Sequence, residues 1–530
     1  MHKHLHKSVL ILFATLSLLP LRAQRTADAV QIQKLLAVYR KLAELYVEEV
    51  DVAPLTEKAI RSMLEELDPH SVYINAEEMQ GVAASFEGEF SGIGIEFSIL
   101  RDTIHVVNTI AGGPAEQAGI RPNDRIVRVD TVDAIGFRTI DVPKHLRGQT
   151  GSRVELDIVR PDMPNKLHFV VIRNKIPLNT VDAAYLPTDS IGYIKINRFG
   201  RTTLSEFRTE YEKLGNPNKL VLDLRGNGGG LLEQAIGLAG FFLSQNATIV
   251  STEGRAVPPM TFRAEEDGEA RDARLVVLID ESSASASEIV AGAIQDWDRG
   301  VILGRPSFGK GLVQRQIELG DGSAVRITVA RYHTPSGRVI QRPYKKGNRR
   351  EYYQNHKRRR NNTIKDSIDT RTPVYRTLRT GRVVYGGGGI KPDILIANDT
   401  TEFTNYHAEL IRRGVVNEYV MTLLDLERNR MERLYPSFEI FDRKFTVTDA
   451  QLDKLAALGD RHAIQRDSEA MDAAATLLRI QLKALIAQRL FGSEYFYRII
   501  NREHDVLFGK ALELLKNWEQ QGAPLLENHI

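Results

Sequence analysis

The chain has 530 residues, of which 42% are apolar and 26% charged, with a formal net charge of +3 and no cysteine. That length exceeds what one hydrophobic core holds, so several domains are expected, and the composition is that of an ordinary soluble protein. The small net charge argues against a strongly basic nucleic-acid surface, and the missing cysteines exclude disulfides, thiolate metal sites and cysteine catalysis.

Residues 1–24 read as a secretory signal peptide. Lys3 and Lys7 form a basic start, Ser8–Leu21 a short apolar core, and Leu21-Arg22-Ala23 a cleavage site before Gln24. The apolar run is too short for a stable membrane anchor. The expected mature protein is therefore exported and soluble, and periplasmic in a Gram-negative host. Residues 25–85 form an N-terminal helical region: Val30, Leu35, Val38, Leu42, Leu45 and Tyr46 recur near the 3.6-residue period, as do Ala59, Ile60, Met63, Leu64 and Leu67. Pro69 ends the second helix, and His70 beside it reads as a cap or packing residue.

Residues 86–175 carry Ser91-Gly92-Ile93-Gly94-Ile95, then Gly113-Pro114-Ala115, Ala118-Gly119-Ile120 and Asp124-Arg125-Ile126-Val127. Val154–Val159 reads as the last strand. This ordered series resembles a PDZ domain. The resemblance implies that backbone N–H groups at Gly92, Ile93, Gly94 and Ile95 receive the terminal carboxylate of a peptide.

Residues 176–400 read as an α/β core. Strands at 191–196, 219–224, 248–252, 275–280 and 301–304 alternate with helical stretches. Lys219–Leu224 runs into Arg225-Gly226-Asn227-Gly228-Gly229-Gly230-Leu231, where Leu231 stands at the third glycine position of a dinucleotide-binding turn. Leu275–Ile279 is a buried strand, and Asp280–Ser285 turns the chain into a helix at Ala286–Asp296 with Ile289, Ala293 and Ile294 on its apolar face. A serine at such a corner can project its hydroxyl beside the helix's unpaired N–H groups. It needs a base, and Lys310 in Phe308-Gly309-Lys310-Gly311 is the nearest candidate, because burial favours a neutral amine. The alternatives are a small-residue packing corner with a surface lysine, or a phosphate loop at Gly304–Gly311. The latter lacks the hydroxyl after the lysine and precedes a strand instead of a helix. In that strand Val313, Arg315, Ile317 and Leu319 face one way and Gln314 and Gln316 the other.

Ser283–Glu288, Gln295-Asp296, Phe308–Gly311 and Val313-Gln314 together resemble the carboxyl-terminal processing, or tail-specific, proteases. The resemblance implies a serine endopeptidase with Ser285 as nucleophile, Lys310 as base and Gln314 orienting the lysine. It also implies an oxyanion site at the N–H groups of Gly229 and Ala286, and no cofactor or metal. Asp296, about three turns from Ser285 on one helix, reads as structural. Arg147, in His145-Leu146-Arg147, resembles a residue that couples the PDZ domain to the protease. Thr334–Gln341 and Gly389–Asp393 resemble neighbouring family segments, here separated by an insertion at 342–388 whose basic run reads as a solvated loop. Residues 401–530 read as helical, with Ala474, Leu477, Leu478, Leu482, Leu485, Ile486 and Leu490 on one apolar face and Phe508, Leu512 and Leu515 on another. These faces suit packing on the core or a homodimer better than a membrane. The expected architecture is a multidomain α/β protease core with an inserted PDZ domain (α+β) and helical N- and C-terminal regions. The expected partner is a protein or peptide substrate with a free C-terminus, and not nucleic acid. The competing reading is a catalytically inactive PDZ scaffold on a protease-like fold.

Overall fold

The structure is a computed structural model that describes residues 29–110, 112–161, 163–360, 373–397 and 403–527. The expected signal peptide lies outside the described residues. The centre is a six-stranded sheet in the order Val181–Thr188, Ile191–Ile196, Lys219–Asp223, Arg274–Ile279, Val301–Gly304, Ile394–Leu395. The first pair is antiparallel and all later pairs are parallel. Alternate side chains leave on opposite faces. Leu220, Leu222, Leu275, Val277 and Ile302 meet the helices Leu232–Gly240 and Ala286–Asp296. Val221, Val276, Leu278 and Leu303 meet Phe508, Ala511 and Leu515 of the helix Val506–Lys516. Burial on both faces explains why these strands read as unbroken apolar runs. Every residue of Ala286–Asp296 is buried, not just the apolar stripe.

The strand expected at 248–252 forms as Thr248–Glu253 but leaves the central sheet. It pairs with Met260–Arg263 and with Ala324–His333 in a second sheet, which also takes Leu312–Glu318. The N-terminal region is not wholly helical: Val72–Ile74 joins this second sheet against Ala324–Arg326. The alternation after Lys310 fades outward, leaving Ile317 and Leu319 about 43% and 45% exposed. Helix 29–45 is sparsely packed: Thr56 donates to the Tyr39 hydroxyl at 3.2 Å, but Val30, Leu35, Val38 and Leu45 are all more than half exposed.

The PDZ domain is a sheet in the order Ile95–Leu100, Thr103–Thr109, Arg125–Val129, Arg153–Val159, Leu167–Ile172. Arg153–Val159 is thus not its last strand; Leu167–Ile172 pairs along its whole length, and Asn174–Pro177 pairs with Glu89–Gly92. Ile95–Leu100 is an edge strand with one free side. The insertion is not a solvated loop where it is described. Arg349–Arg360 is a helix whose Tyr352 is 4% exposed, and Val374–Arg376 pairs with Val383–Tyr385. Its aromatic residues, interleaved with the charges, supply a packing face that charge counting overlooks. Despite the insertion, Thr334–Gln341 and 387–390 are adjacent: Gly387 and Gly389 donate to Val339 O and Ile340 O at 2.7 and 2.9 Å. The C-terminal helices Val415–Leu434 and Ser468–Phe491 build a core of their own, in which Ala474, Leu478, Leu482 and Ile486 are buried.

Candidate active site

Ser285 caps the buried helix at φ 54°, ψ −111°, a left-handed backbone that a side-chain-bearing residue adopts only under constraint. The constraint is visible. Asp280 Oδ1 accepts from the N–H groups of Gly226, Ser282 and Ser283 at 3.0–3.1 Å, which ties the serine corner to the glycine loop. Fully buried Asn227 takes Ala284 N–H and the Ser287 hydroxyl on its carbonyl, and donates its amide to Ile196 O. A strand, a glycine loop and a helix are thereby held to one another around the serine.

Glu288, one helical turn after Ser285, joins the serine to the lysine. Its carboxylate accepts from Ser285 N at 2.8 Å, Lys310 N at 2.9 Å, Gly309 N at 2.7 Å and the Ser307 hydroxyl. Burial pushes its pKa up, against the pull of those four donors. Tyr332 closes the same link from the other side, donating to Lys310 O at 2.7 Å and lying 3.2 Å from Ser285 O. The phosphate-loop alternative fails here, because the amides that would cradle a phosphate are already engaged: Gly309 and Lys310 by Glu288, Phe308 by Ser283 O and Gly311 by Gln341 Oε1.

Ser285, Ala286, Lys310 and Gln314 line one cavity of about 490 Å³, walled by Phe199, Leu231, Ile289 and Leu312. Lys310 Nζ donates to Gln314 Oε1 at 2.9 Å, and Gln314 Nε2 donates to His70 O at 2.6 Å. Burial holds the Lys310 pKa below its ordinary value, Arg326 adds to this, and Glu288 and Asp68 oppose it. His70 is brought here from the N-terminal region. Its Nε2 lies 3.2 Å from the Tyr352 hydroxyl, and burial with Lys310 lowers its pKa to about 4. Phe308, two residues before the lysine, carries Arg342 over its ring and packs against His356.

The two amides expected at the oxyanion site differ in their surroundings. Ala286 N–H, at the helix N-terminus, has no acceptor among the described residues. Gly229 lies against the serine, since a Cβ there would stand 2.8 Å from Ser285 Cβ at φ +98°. Its N–H, however, donates to Asn227 Oδ1 at 2.9 Å, so this arrangement does not offer it to a substrate oxygen. The glycine run allows the close approach, but an asparagine within the run can satisfy its own loop. Asp296 is distant from the cavity's reacting groups. It forms a fully buried ion pair with Arg338 at 2.7 Å and accepts from Thr334 and Ser336.

In the PDZ domain the carbonyls of Ile93 and Gly94 accept from Ala115 and Ile110. The N–H groups of Ile93 and Gly94 have no acceptor among the described residues. Gly92 pairs with Asn174, and Ile95 opens the edge strand. Arg147 stacks on Phe90 at 4.4 Å and does not line the Ser285 cavity. The sequence reading gave no role to Asn227, Glu288 or Tyr332, and read His70 as a cap or packing residue without its link to Gln314. Only the glutamate's place three residues after an N-cap serine was a usable signal. Among the described residues no His, Asp and Glu cluster could hold a metal ion, and no helix is long and apolar enough to cross a membrane.

Residues 190–347 match peptidase family S41, 105–160 match a PDZ domain, 17–78 the N-terminal domain of the activating protease CtpB, and 406–492 a family of unknown function. The chain is 39% identical over 311 residues to the carboxy-terminal-processing protease of Bartonella bacilliformis, covering 57% of this chain and 71% of that one. It is 33% identical over 345 residues to the carboxy-terminal processing protease CtpA of Bacillus subtilis, covering 64% and 72%. Among solved structures, a photosystem II D1 C-terminal processing protease is 30% identical and aligns with 58% of this chain and 89% of its own, with a TM-score of 0.34. The S41 and PDZ matches and the Bartonella and Bacillus relatives together show that the chain is a serine-type peptidase that belongs to the carboxy-terminal processing proteases of family S41.

Proposed function

We propose that the protein is an exported endopeptidase that selects protein substrates through their C-terminal region and cleaves them with a Ser285–Lys310 pair. The observation that carries this reading is the lysine's setting. A largely buried amine whose pKa is lowered by desolvation, oriented by its N–H on Gln314 Oε1 in the cavity that Ser285 also lines, is suited to take the serine's proton in its neutral form. Ser285 Oγ attacks the scissile carbonyl as its proton passes to Lys310. The oxygen that gains charge is held by Ala286 N–H. Lys310 then hands the proton to the leaving amine as the C–N bond breaks, leaving an acyl-enzyme. A water deprotonated by Lys310 hydrolyses the ester and frees the serine.

One feature suits a resting site that a tail completes: Gly229 N–H is engaged by Asn227 and is not offered to a substrate oxygen. A tail added to the edge strand Ile95–Leu100, with its carboxylate at the free N–H groups of Ile93 and Gly94, is the proposed signal. The tail can favour the aligned site only by binding that arrangement more tightly. Export rests on the 1–24 pattern, and a homodimer would cover the exposed apolar residues of helix 29–45; a mass measurement with and without residues 29–45 tests the latter.

The decisive test is Ser285→Ala beside Ser283→Ala, with a fluorophosphonate probe and a denatured protein substrate. Ser285→Ala is expected to lose both labelling and cleavage with its fold intact. Cleavage at the parental rate would overturn the assignment. A free-carboxyl substrate and its amidated twin, cleaved at equal rates, would overturn the tail signal.

A further inference from the structure

Residues 406–492 match a family to which no function is assigned, and none of their side chains lines the Ser285 cavity. Their contacts run to the PDZ domain. One face of the PDZ sheet packs its own core through Ile104 and Val106. The other face of an antiparallel sheet is ordinarily solvated, yet here His105 and Val107 are each only 5% exposed. The cover comes from Val415–Leu434, whose Met421, Leu424 and Arg428 line a small gap with His105, Val107 and Asn123.

Polar contacts fix the register. Arg125 pairs with Asp425 at 2.6 Å, Asn123 Nδ2 donates to Leu424 O at 3.0 Å, and Arg428 donates to Val107 O at 3.5 Å. Arg489 reaches Glu96 at 3.1 Å, and Glu96 lies on the edge strand Ile95–Leu100. The helix that follows, Ser493–Glu503, fastens this helical unit to the protease sheet. Just past residue 492, Ser493 and Tyr497 donate to Asp182 at 3.0 Å and Asn501 to the Tyr185 hydroxyl at 2.9 Å. We propose that the 406–492 module is a docking platform for the PDZ domain of its own chain, holding that domain at a fixed place on the protease core and placing Arg489 against the strand that receives a substrate tail.

The chemistry suits a dock that opens. Arg125 Nε, Asp425 Oδ1 and Arg428 Nε are buried at this contact without a protein partner. Each such group costs free energy when closed that water returns when open. The Arg489–Glu96 pair is partly exposed and therefore weak and reversible. The link to substrate tails rests on the PDZ reading above, but the docking itself does not depend on the catalytic assignment.

The test uses the absence of native cysteine. In the full chain carrying Val107→Cys, a maleimide reports how often the covered face opens. Labelling is expected to be slow, to quicken on the order of tenfold with Asp425→Asn, which removes one partner of a partly buried pair, and to quicken less with Arg489→Glu. Adding Glu96→Arg to Arg489→Glu restores the pair with reversed signs and is expected to return labelling toward the parental rate, which a merely misfolded variant would not do. Asp425→Asn is also expected to shrink the rate difference between a free-carboxyl substrate and its amidated twin. Unchanged labelling in Asp425→Asn, or no recovery in the charge swap, would overturn the dock. Loss of Ser285 probe reactivity with labelling as expected would instead fault the catalytic reading alone.

Discussion

Replacing Glu288 with glutamine separates positioning from stability. The carboxylate holds two donors on each oxygen: Ser307 and Gly309 on Oε1, Ser285 and Lys310 on Oε2. Glutamine keeps the shape and can accept on one side only. Its best placement turns the amide toward Ser307, whose hydroxyl rotates to accept, and leaves Gly309 N–H unpaired. One buried donor without a partner costs about 1–3 kcal/mol. That cost falls on the loop whose next residue is Lys310. If it all weighs on the arrangement in which base and nucleophile meet, the rate falls by roughly 5- to 150-fold, at about tenfold per 1.4 kcal/mol. Global stability moves otherwise. Burial raises the pKa of Glu288, so the folded chain binds more protons than the unfolded one just above pH 4.5, and the charged form is a net cost at neutral pH. Glutamine removes that cost, which offsets the lost bond. The expected melting temperature lies within a few degrees of the parent, because about 1 kcal/mol shifts a large chain by only ~2–4 °C. The assay is kcat/KM on a quenched peptide, normalised by Ser285 titration with a fluorophosphonate, beside a thermal melt. A glutamine variant with full kcat/KM per active serine would refute the reasoning. So would a rate loss that merely tracks a fall in folded protein.

Lys310→Arg is expected to be as inactive as Lys310→Ala in the same peptide assay, since guanidinium does not deprotonate in proteins. Wild-type kcat/KM is expected to fall as pH drops through the lowered pKa of Lys310, because the ammonium cannot take a proton; a profile flat on its acid side would contradict this. His70→Gln is expected to flatten the acid loss of stability. Between the ordinary 6.5 and about 4 the unfolded histidine binds a proton that the folded one does not, so stability falls as pH drops, by about 3 kcal/mol at ~1.4 kcal/mol per pH unit. Denaturant melts at pH 7 and pH 4 measure it. Gly229→Ala is expected to abolish cleavage, since its Cβ would stand 2.7 Å from Ala284 O at a positive φ, and retained probe labelling of Ser285 would count against that. Tyr352→Ala is expected to cost about 3–5 kcal/mol as a buried aromatic and to lower cleavage, with Tyr352→Phe restoring most of the stability in a melt.

Local chemistry determined much of this protein. The paired apolar faces of Leu220–Leu222 and Leu275–Ile279, the small-residue turn before Ala286 and the glycine-flanked Lys310 are carried by runs of adjacent residues, and so were legible in the chain. The PDZ series was legible for the same reason, since its loop and turns recur in fixed order. What the sequence could not decide depends on partners far apart in number. Thr248–Glu253 has strand chemistry, but its sheet is chosen by Ala324–His333, and Val72–Ile74 becomes a strand only because that same edge is open to it. His70 read as a cap or packing residue, and only folding put its carbonyl on Gln314, 244 positions away. The basic run 349–360 read as solvated because charge is counted one residue at a time, whereas Tyr352 is buried by His70 and Phe308 from two other segments. Gly229 is the sharpest case: the glycine was dictated by close approach to Ser285, but the direction of its N–H was settled by the competing side chain of Asn227. Hydrogen-bond choice among several nearby acceptors is a property of the assembled site, and only the tertiary structure supplies it.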